Sequence, residues 1–563
     1  MPRITTRGFS NPAYQLLLTH GLNPLLARIF SARNIQTVAE LEASLNRLPA
    51  VDTLKNSESM AAYLAEAIRT RKNILVVADY DADGATACTV AMRGLRAFGA
   101  HVDFIVPNRF EYGYGLTPEI VHLAAEQKPD ILLTVDNGIA SVAGVAEANR
   151  LGIEVLVTDH HLPGDALPDA RCIVNPNQPG CAFPSKNLAG VGVIFYVLLA
   201  LRAELRRRGT FESQPEPNLA KLLDIVALGT VADVVKLDQP NRILVQQGLA
   251  RIRAGQACPG ILALLQSSRK PPAQASTYEL GFIVGPRLNA AGRLEDMSLG
   301  IRCLLTDDVE EAKRLAAELD ALNRTRREIE ADMQQTALTS LDNFDPAERY
   351  TLTLFDENWH QGVIGILASR LKDRFHRPAI VFAQAGDDEL KGSGRSIPGL
   401  HLRDALDLIA KRHPHLLQKF GGHAMAAGLS LKRQHLEDFQ AAFDEVTQSL
   451  LSVADLTKTI ETDGALKSDE YSLETAEALE QYVWGQGFPE PAFHGQFAVR
   501  QQRIVGEKHL KLKLSAEKQS LDAILFFDTG PLPERIEAVY KLARNEYNGQ
   551  TSLQLVIEHW EAV

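Results

Sequence analysis

The sequence predicts an α/β protein of several domains: a parallel-sheet domain, a long connecting helix, a second α/β domain and a strand-rich C-terminal domain. Three observations predict it. Short apolar runs alternate with helix-length segments between residues 70 and 235, a charged amphipathic stretch covers 306–341, and residues of alternating polarity return after about 455. A chain of 563 residues is also too long for one hydrophobic core. The expected division is a helical leader (1–50), the sheet domain (51–305), the connecting helix (306–345), the second α/β domain (346–452) and the strand-rich domain (453–563).

Composition narrows the function classes. With 45% hydrophobic and 23% charged residues and no low-complexity tract, the chain reads as an ordinary globular protein. A formal charge of -11 excludes a uniformly positive coat for nucleic acid, although 59 Lys and Arg leave room for a local basic groove. The five cysteines (Cys88, Cys172, Cys181, Cys258, Cys303) are odd in number and form no CxxC pair, which predicts reduced thiols in a cytoplasmic protein. The first residues lack a basic segment followed by an apolar one, so no secretory signal is expected. The most apolar stretch, Val191 to Leu201, is too short to span a bilayer and predicts a buried helix. No coiled-coil repeat or interface stripe is visible, and a monomer is expected.

In the sheet domain the predicted strands are Asn73–Val77, Val102–Val106, Ile131–Val135, Glu154–Thr158 and Cys172–Val174, with helices at Gly84–Phe98, Thr117–Gln127 and Ala140–Leu151. Three of these strands run into aspartate. The first leads into Asp79-Tyr80-Asp81-Ala82-Asp83-Gly84, the third into Asp136-Asn137-Gly138, and the fourth into Asp159-His160-His161. Ligands of open parallel sheets bind beyond the carboxyl ends of the strands, so separate segments deliver carboxylates and imidazoles to one rim. Alone, each aspartate reads as a helix N-cap, and the first motif as a calcium loop, but no Glu occupies that loop's twelfth position. Together they form a cluster whose mutual repulsion requires cations, and oxygen donors with one imidazole suit Mn²⁺ or Mg²⁺ better than a soft metal. A helix-like apolar stretch from Leu222 ends in a solitary Asp233, which beside the others becomes a further candidate ligand.

These residues, in this order, resemble the motifs of the DHH phosphoesterases. Downstream, Trp359–Gly365, Lys391–Ser396 and Gly421–Gly428 resemble the DHHA1 domain that accompanies them, and Gly285–Arg293 resembles the branch of single-strand-specific exonucleases. The resemblance implies a DHH domain, a DHHA1 domain and a C-terminal OB-like β-barrel. It implies two divalent ions, Mn²⁺ preferred and Mg²⁺ possible, held by Asp79, Asp81, Asp83, Asp136, His160 and Asp233, with Asp136 bridging. Which of the first three aspartates binds directly stays open. His161 would sit closer to the scissile phosphate than to the metals, and Asp159 would orient the imidazoles. The implied reaction is 5′→3′ hydrolysis of single-stranded DNA to 5′ mononucleotides, in recombination and repair. The alternatives are a DHH phosphodiesterase acting on RNA oligonucleotides or cyclic dinucleotides and, with every ligand position intact, less readily a non-catalytic scaffold. Single-strand-binding protein and a RecQ-type helicase are the implied partners.

The remaining candidates concern substrate. Ser393, Arg395, Gly421, Gly422 and His423 are expected to grip the nucleotide backbone as the DHHA1 domain closes over the rim, the glycines letting backbone amides approach a phosphate. Arg109, Arg287 and Arg293 are further phosphate candidates, with structural salt bridges as the alternative for the last two. Strands are expected at Phe493–Val505, His509–Ser515, Leu521–Phe527 and Ser552–His559. In the second, the leucines face one way, and His509, Lys511 and Lys513 face the other as a basic surface for single-stranded nucleic acid.

Overall fold

The computed structural model describes residues 2–108, 112, 115–341, 349–516, 519–547 and 549–563. The chain forms two compact units, one of Thr6–Asp320 with Glu461–Val563 and one built on Ala321–Ile460.

The first unit holds the parallel sheet: β1 (Asn73–Ala78), β2 (His101–Ile105), β3 (Ile131–Val135), β4 (Glu154–Thr158) and β5 (Cys172–Val174), in the order β2-β1-β3-β4-β5. All five residues of β3 are buried, which is why it reads as an unbroken apolar run rather than an alternating one. Register decides the function. Ala78 pairs with Val135, Val135 with Thr158 and Thr158 with Val174, so the strands end level and Asp79, Asp136, Asp159 and Asn175 follow in one row.

Helix α1 (Ala82–Ala97) leaves this rim and is buried along nearly its whole length between the sheet, α2 (Gly190–Arg207) and α3 (Leu223–Ala232). The apolar stretch from Val191 lies in α2, and no helix among the described residues is long and apolar enough to cross a membrane. A Cβ at Gly94 would fall 2.3 Å from Leu198 Cδ1, so glycine sets the close crossing of α1 and α2. A π-helical turn at Glu279–Val284 leads into α4 (Gly285–Leu294), and α5 (Val309–Ser340) is the expected long helix.

The second unit carries β6 (Leu352–Phe355), β7 (Ala379–Gln384), β8 (Glu389–Arg395), β9 (Lys419–Gly422) and β10 (Ala426–Lys432), in the order β9-β10-β8-β7-β6. Only β6 and β7 run parallel. One face packs Ile380 and Phe382 against the helices Leu402–Arg412 and Leu436–Leu450; the other packs Ala379 and Val381 against Ile364–Phe375 and the end of α5.

Within the first unit the C-terminal strands β11 (Phe493–Val505), β12 (His509–Ala516), β13 (Gln519–Leu525), β14 (Arg535–Tyr547) and β15 (Gln550–Ala562) close a barrel in the order β11-β12-β13-β15-β14. Strand β14 was not expected. Its Glu, Ala, Lys, Leu and Arg are helix formers, and a bulge at Val539/Tyr540 breaks its alternation. The leader packs on the segment that precedes the barrel: Arg33 makes a buried two-pronged ion pair with Asp463 (2.6 and 2.9 Å), and Phe30 stacks on Trp484 with ring centres 5.6 Å apart.

Candidate active site

Each rim residue is placed by a local feature of its chain. Asp79 follows β1 and its Oδ1 accepts the Tyr80 amide at 2.8 Å. Asp81 caps α1, accepting from the Gly84 amide at 3.0 Å. A Cβ at Gly84 would lie 2.4 Å from the Asp79 carbonyl oxygen, so only glycine allows the strand to turn this sharply into the helix. Asp83, fully buried, is clasped by the first amides of α2: Gly190 N–H donates to Oδ2 at 2.6 Å and Val191 N–H to Oδ1 at 3.1 Å. Asp136 has φ of 64°, a left-handed conformation rare outside glycine that marks strain held at a functional position. The side chain of its neighbour Asn137 ties the ends of β1 and β3 together by donating to Val77 and Val135 carbonyls at 3.1 and 3.0 Å.

The Asp159-His160-His161 turn divides its tasks. Asp159 Oδ1 accepts from the amides of His160 (2.7 Å) and His161 (3.1 Å) and faces His161 Nδ1 at 2.8 Å, while Oδ2 accepts from Ile139 N–H at 2.9 Å. Its oxygens are thus occupied in orienting the turn. His160 turns to the carboxylate cluster, with Nε2 at 3.1 Å from Asp136 Oδ1 and 3.5 Å from Asp233 Oδ2. Asn175 and Asn177 brace the turn by donating to the carbonyls of His161 (3.0 Å) and His160 (2.6 Å).

Oxygens of Asp79, Asp81 and Asp136 come within 4.8 Å of one another, and so do donor atoms of Asp83, His160 and Asp233; Asp136 and His160 join the two groups. The cluster is electrostatically unbalanced by itself. Burial and then Asp81 raise Asp83 to about 7, and burial with repulsion from Asp83 pushes Asp136 and Asp233 well above the ordinary carboxylate value. Asp136 Oδ1 is buried without a hydrogen bond. Such an oxygen, inside a ring of carboxylates and one imidazole, fits divalent cations. Burial opposes the charge on Asp159, but His161 beside it holds it below the usual range. Burial likewise opposes the imidazolium of His161, yet Asp159 raises it to about 9.

Several partners of this cluster were invisible to sequence reasoning. The amides of Gly190 and Val191 lie more than a hundred residues from Asp83. Asn289 on α4 accepts the Ala82 amide at 2.9 Å, and a Cβ at Gly292 would lie 2.0 Å from the Tyr80 carbonyl oxygen, so α4 buttresses the first aspartate loop. The Gly285–Arg293 stretch, which holds Asn289 and Gly292, and the Asn-Pro-Asn after β5 were the available signals.

The substrate candidates separate into distinct places. Arg287 faces inward, bonded to Asp320 (2.7 and 3.0 Å) and to the Ile283 carbonyl (2.7 Å). Arg293 is half-buried on the same helix, and Arg109 lies outside the described residues. In the second unit Ser393 and Arg395 share β8, with Arg395 Nη1 donating to Ser393 Oγ at 3.1 Å. Gly365 packs against both, since a Cβ there would lie 2.9 Å from each. Among the described residues no carboxylate pairs with Arg395, and burial lowers its pKa. Gly421 and Gly422 end β9, Gly422 with φ of 141°, and the His423 amide closes the turn on the Ala426 carbonyl. In the barrel Leu510, Leu512 and Leu514 are buried, and His509, Lys511 and Lys513 face outward. Lys513 is neutralised by Asp522 at 2.9 Å, which narrows the basic surface, while His509 packs edge-on against the exposed Phe526 and Phe527.

Comparison with known proteins agrees with this arrangement. The model of the DHH family, N-terminal domain, matches residues 73–230, that of the DHHA1 domain 348–449 and that of the RecJ OB domain 462–559. The chain is 51% identical over 551 residues to the single-stranded-DNA-specific exonuclease RecJ of Salmonella typhimurium, covering 95% of this chain and 96% of that one. It is 49% identical over 552 residues to the enzyme of the same name from Escherichia coli, covering 96% of each. The crystal structure of RecJ from Thermus thermophilus in complex with Mn²⁺ superposes with a TM-score of 0.83 at 30% identity, covering 100% of this chain and 79% of that chain. With domains, motif order and full-length similarity in agreement, the chain belongs to the RecJ family of single-stranded-DNA-specific exonucleases.

Proposed function

We propose that this protein hydrolyses single-stranded DNA from its 5′ end to 5′ mononucleotides, using two divalent cations, Mn²⁺ in preference to Mg²⁺. The observation that carries this reading is the convergence of five carboxylates and His160 on one sheet rim, with Asp136 between the two donor groups. Asp79, Asp81 and Asp136 would hold one cation, and Asp83, His160 and Asp233 the other. Such ions, when bound, supply an activated water and positive charge for the developing phosphorane-like transition state. His161, fixed by Asp159, donates a hydrogen bond to a phosphate oxygen or carries the proton of the departing oxygen. Arg395 and Ser393, with the Gly421-Gly422-His423 turn, take a backbone phosphate: a half-buried guanidinium that pairs with no carboxylate among the described residues favours an anion. On the barrel, Lys511 and His509 track the strand, and Phe526 and Phe527 offer ring faces to its bases.

The domain division given above is retained as part of this proposal, as are a monomeric state, a cytoplasmic location and service in recombination and repair beside single-strand-binding protein and a RecQ-type helicase. Five free cysteines suit a reducing compartment. The test is digestion of 5′-labelled and 3′-labelled single strands, DNA beside RNA, with Mn²⁺, Mg²⁺ or EDTA. Prompt release of 5′-labelled mononucleotide from DNA, abolished by EDTA, is expected. Release first from the 3′ label overturns the polarity, faster loss of RNA overturns the substrate, and activity in EDTA overturns the metal dependence.

A further inference from the structure

A second cluster of metal-ligating side chains lies in the other compact unit, outside the machinery described above. His415, His435 and Asp438 each place a donor atom within 4.8 Å of the other two. Two imidazoles and one carboxylate form a donor set for a borderline ion such as Zn²⁺, whereas the oxygen-rich rim of the first unit suits hard cations.

The donors are held by the core beneath them. Leu416, beside His415, and Phe439, beside Asp438, are buried in one hydrophobic cluster, and Leu436, beside His435, packs against it. Pro414 restricts the backbone just before His415, and His435 caps the helix Leu436–Leu450 whose first turn carries Asp438. The rings of His415 and His435 stand 5.5 Å apart at 74°, so two imidazoles can address one point from different directions. Among the described residues the three side chains carry one hydrogen bond, the 3.3 Å contact between Gln434 Nε2 and His435 Nε2. The neighbouring cations are engaged elsewhere, Arg412 with Glu445 at 3.5 Å and Arg433 with Glu357 at 3.9 Å.

We propose that His415, His435 and Asp438 form a zinc site on the second unit, separate from the catalytic cations. The ion pins the turn after the helix Leu402–Arg412 to the start of the helix Leu436–Leu450, and water completes its coordination. The site is structural in effect: it stabilises the unit by mass action and takes no part in hydrolysis.

Equilibrium dialysis of the full chain against zinc, with Mn²⁺ saturating throughout, tests this beside the double variant His415→Ala/His435→Ala and the single variant Asp438→Asn. The native chain is expected to retain one zinc more than the double variant and to melt higher with zinc than without. The double variant should lose that zinc-dependent rise and keep its nuclease rate in Mn²⁺, and Asp438→Asn should bind zinc more weakly. Exchange of zinc into the catalytic rim would affect both chains alike, so the difference of one ion remains the readout. Equal zinc content in native chain and double variant, or a zinc-dependent melting rise shared by both, overturns the proposal.

Discussion

Asp136 and Asp159 end neighbouring strands, yet their surroundings give them different chemistry. Asp136 keeps a buried oxygen without a hydrogen bond, whereas both oxygens of Asp159 are engaged by amides or by His161. Asp159→Asn therefore acts on the orientation and charge of His161 rather than on cation binding. The rate constant for hydrolysis should fall about 10²- to 10⁴-fold, while Mn²⁺ affinity by calorimetry stays within a few-fold. A collapse of Mn²⁺ affinity would make Asp159 a ligand instead. The acid cluster also sets a pH dependence. Asp83, Asp136 and Asp233 have raised values in the metal-free fold, so their contribution to stability is complete below the ordinary carboxylate value and is lost as pH rises through about 7 and beyond. The metal-free protein should thus melt lower at about pH 8 than at about pH 6, and Mn²⁺ should raise the melting temperature more at the higher pH. A metal-free melting temperature that is flat or rising across this window would show that the carboxylates are not under the stated strain. Asp159, whose value is lowered, loses its contribution only at acid pH, outside the window.

At the scale of elements, the site depends on how closely α2 approaches the ends of β1 and β3. Its first residue, Gly190, donates to Asp83, and a Cβ there would lie 2.5 Å from Asp136 Oδ1. Gly190→Ala forces the helix N-terminus away from both carboxylates. It should cost about 1–3 kcal/mol by overpacking and lower nuclease activity together with Mn²⁺ affinity. Urea unfolding and calorimetry would check this, and an unchanged Mn²⁺ affinity would sever the link between α2 and the cation cluster. This dependence also explains what could be read from the chain. Strands β1, β3, β4 and β5 were legible because burial on both faces writes them as apolar runs, and the aspartates after β1, β3 and β4 because each stands at a strand end. The clasp on Asp83 was not legible, since nothing local to Gly190 says that a carboxylate from α1 will meet it. Nor does an arginine's type reveal its neighbours: only the fold shows that Arg287 meets Asp320. In β12 the alternation located the outward row, but only the neighbouring strand shows that Asp522 takes up the charge of Lys513.

Across the molecule, sequence distance is a poor guide to what moves together. The barrel comes last in the chain, beyond the second unit, yet it folds into one compact unit with the sheet. The leader contributes to this: Arg33 reaches Asp463 across 430 residues, with both side chains about 1% exposed. Arg33 also lies 5.2 Å from the centre of the Trp484 ring and donates to the Pro489 carbonyl at 2.8 Å, so its charge is met on several sides. Removing Arg33 leaves the buried Asp463 with only its longer contacts, Arg7 at 3.3 Å and the Ala492 amide at 3.2 Å, and stripping a buried charge of its main partner costs more than the pair contributes as a whole. Arg33→Ala should therefore destabilise the first unit by about 3–5 kcal/mol, and Asp463→Ala by a similar amount. The double variant should cost less than the sum of the two, because neither charge is then stranded. Hydrogen exchange gives the spatial test: in Arg33→Ala, amides of the segment Asp463–Phe493 should lose protection before those of β3 do. If the two segments lose protection together, the leader and the barrel unfold only with the sheet, and Arg33 serves global stability rather than the attachment of the barrel.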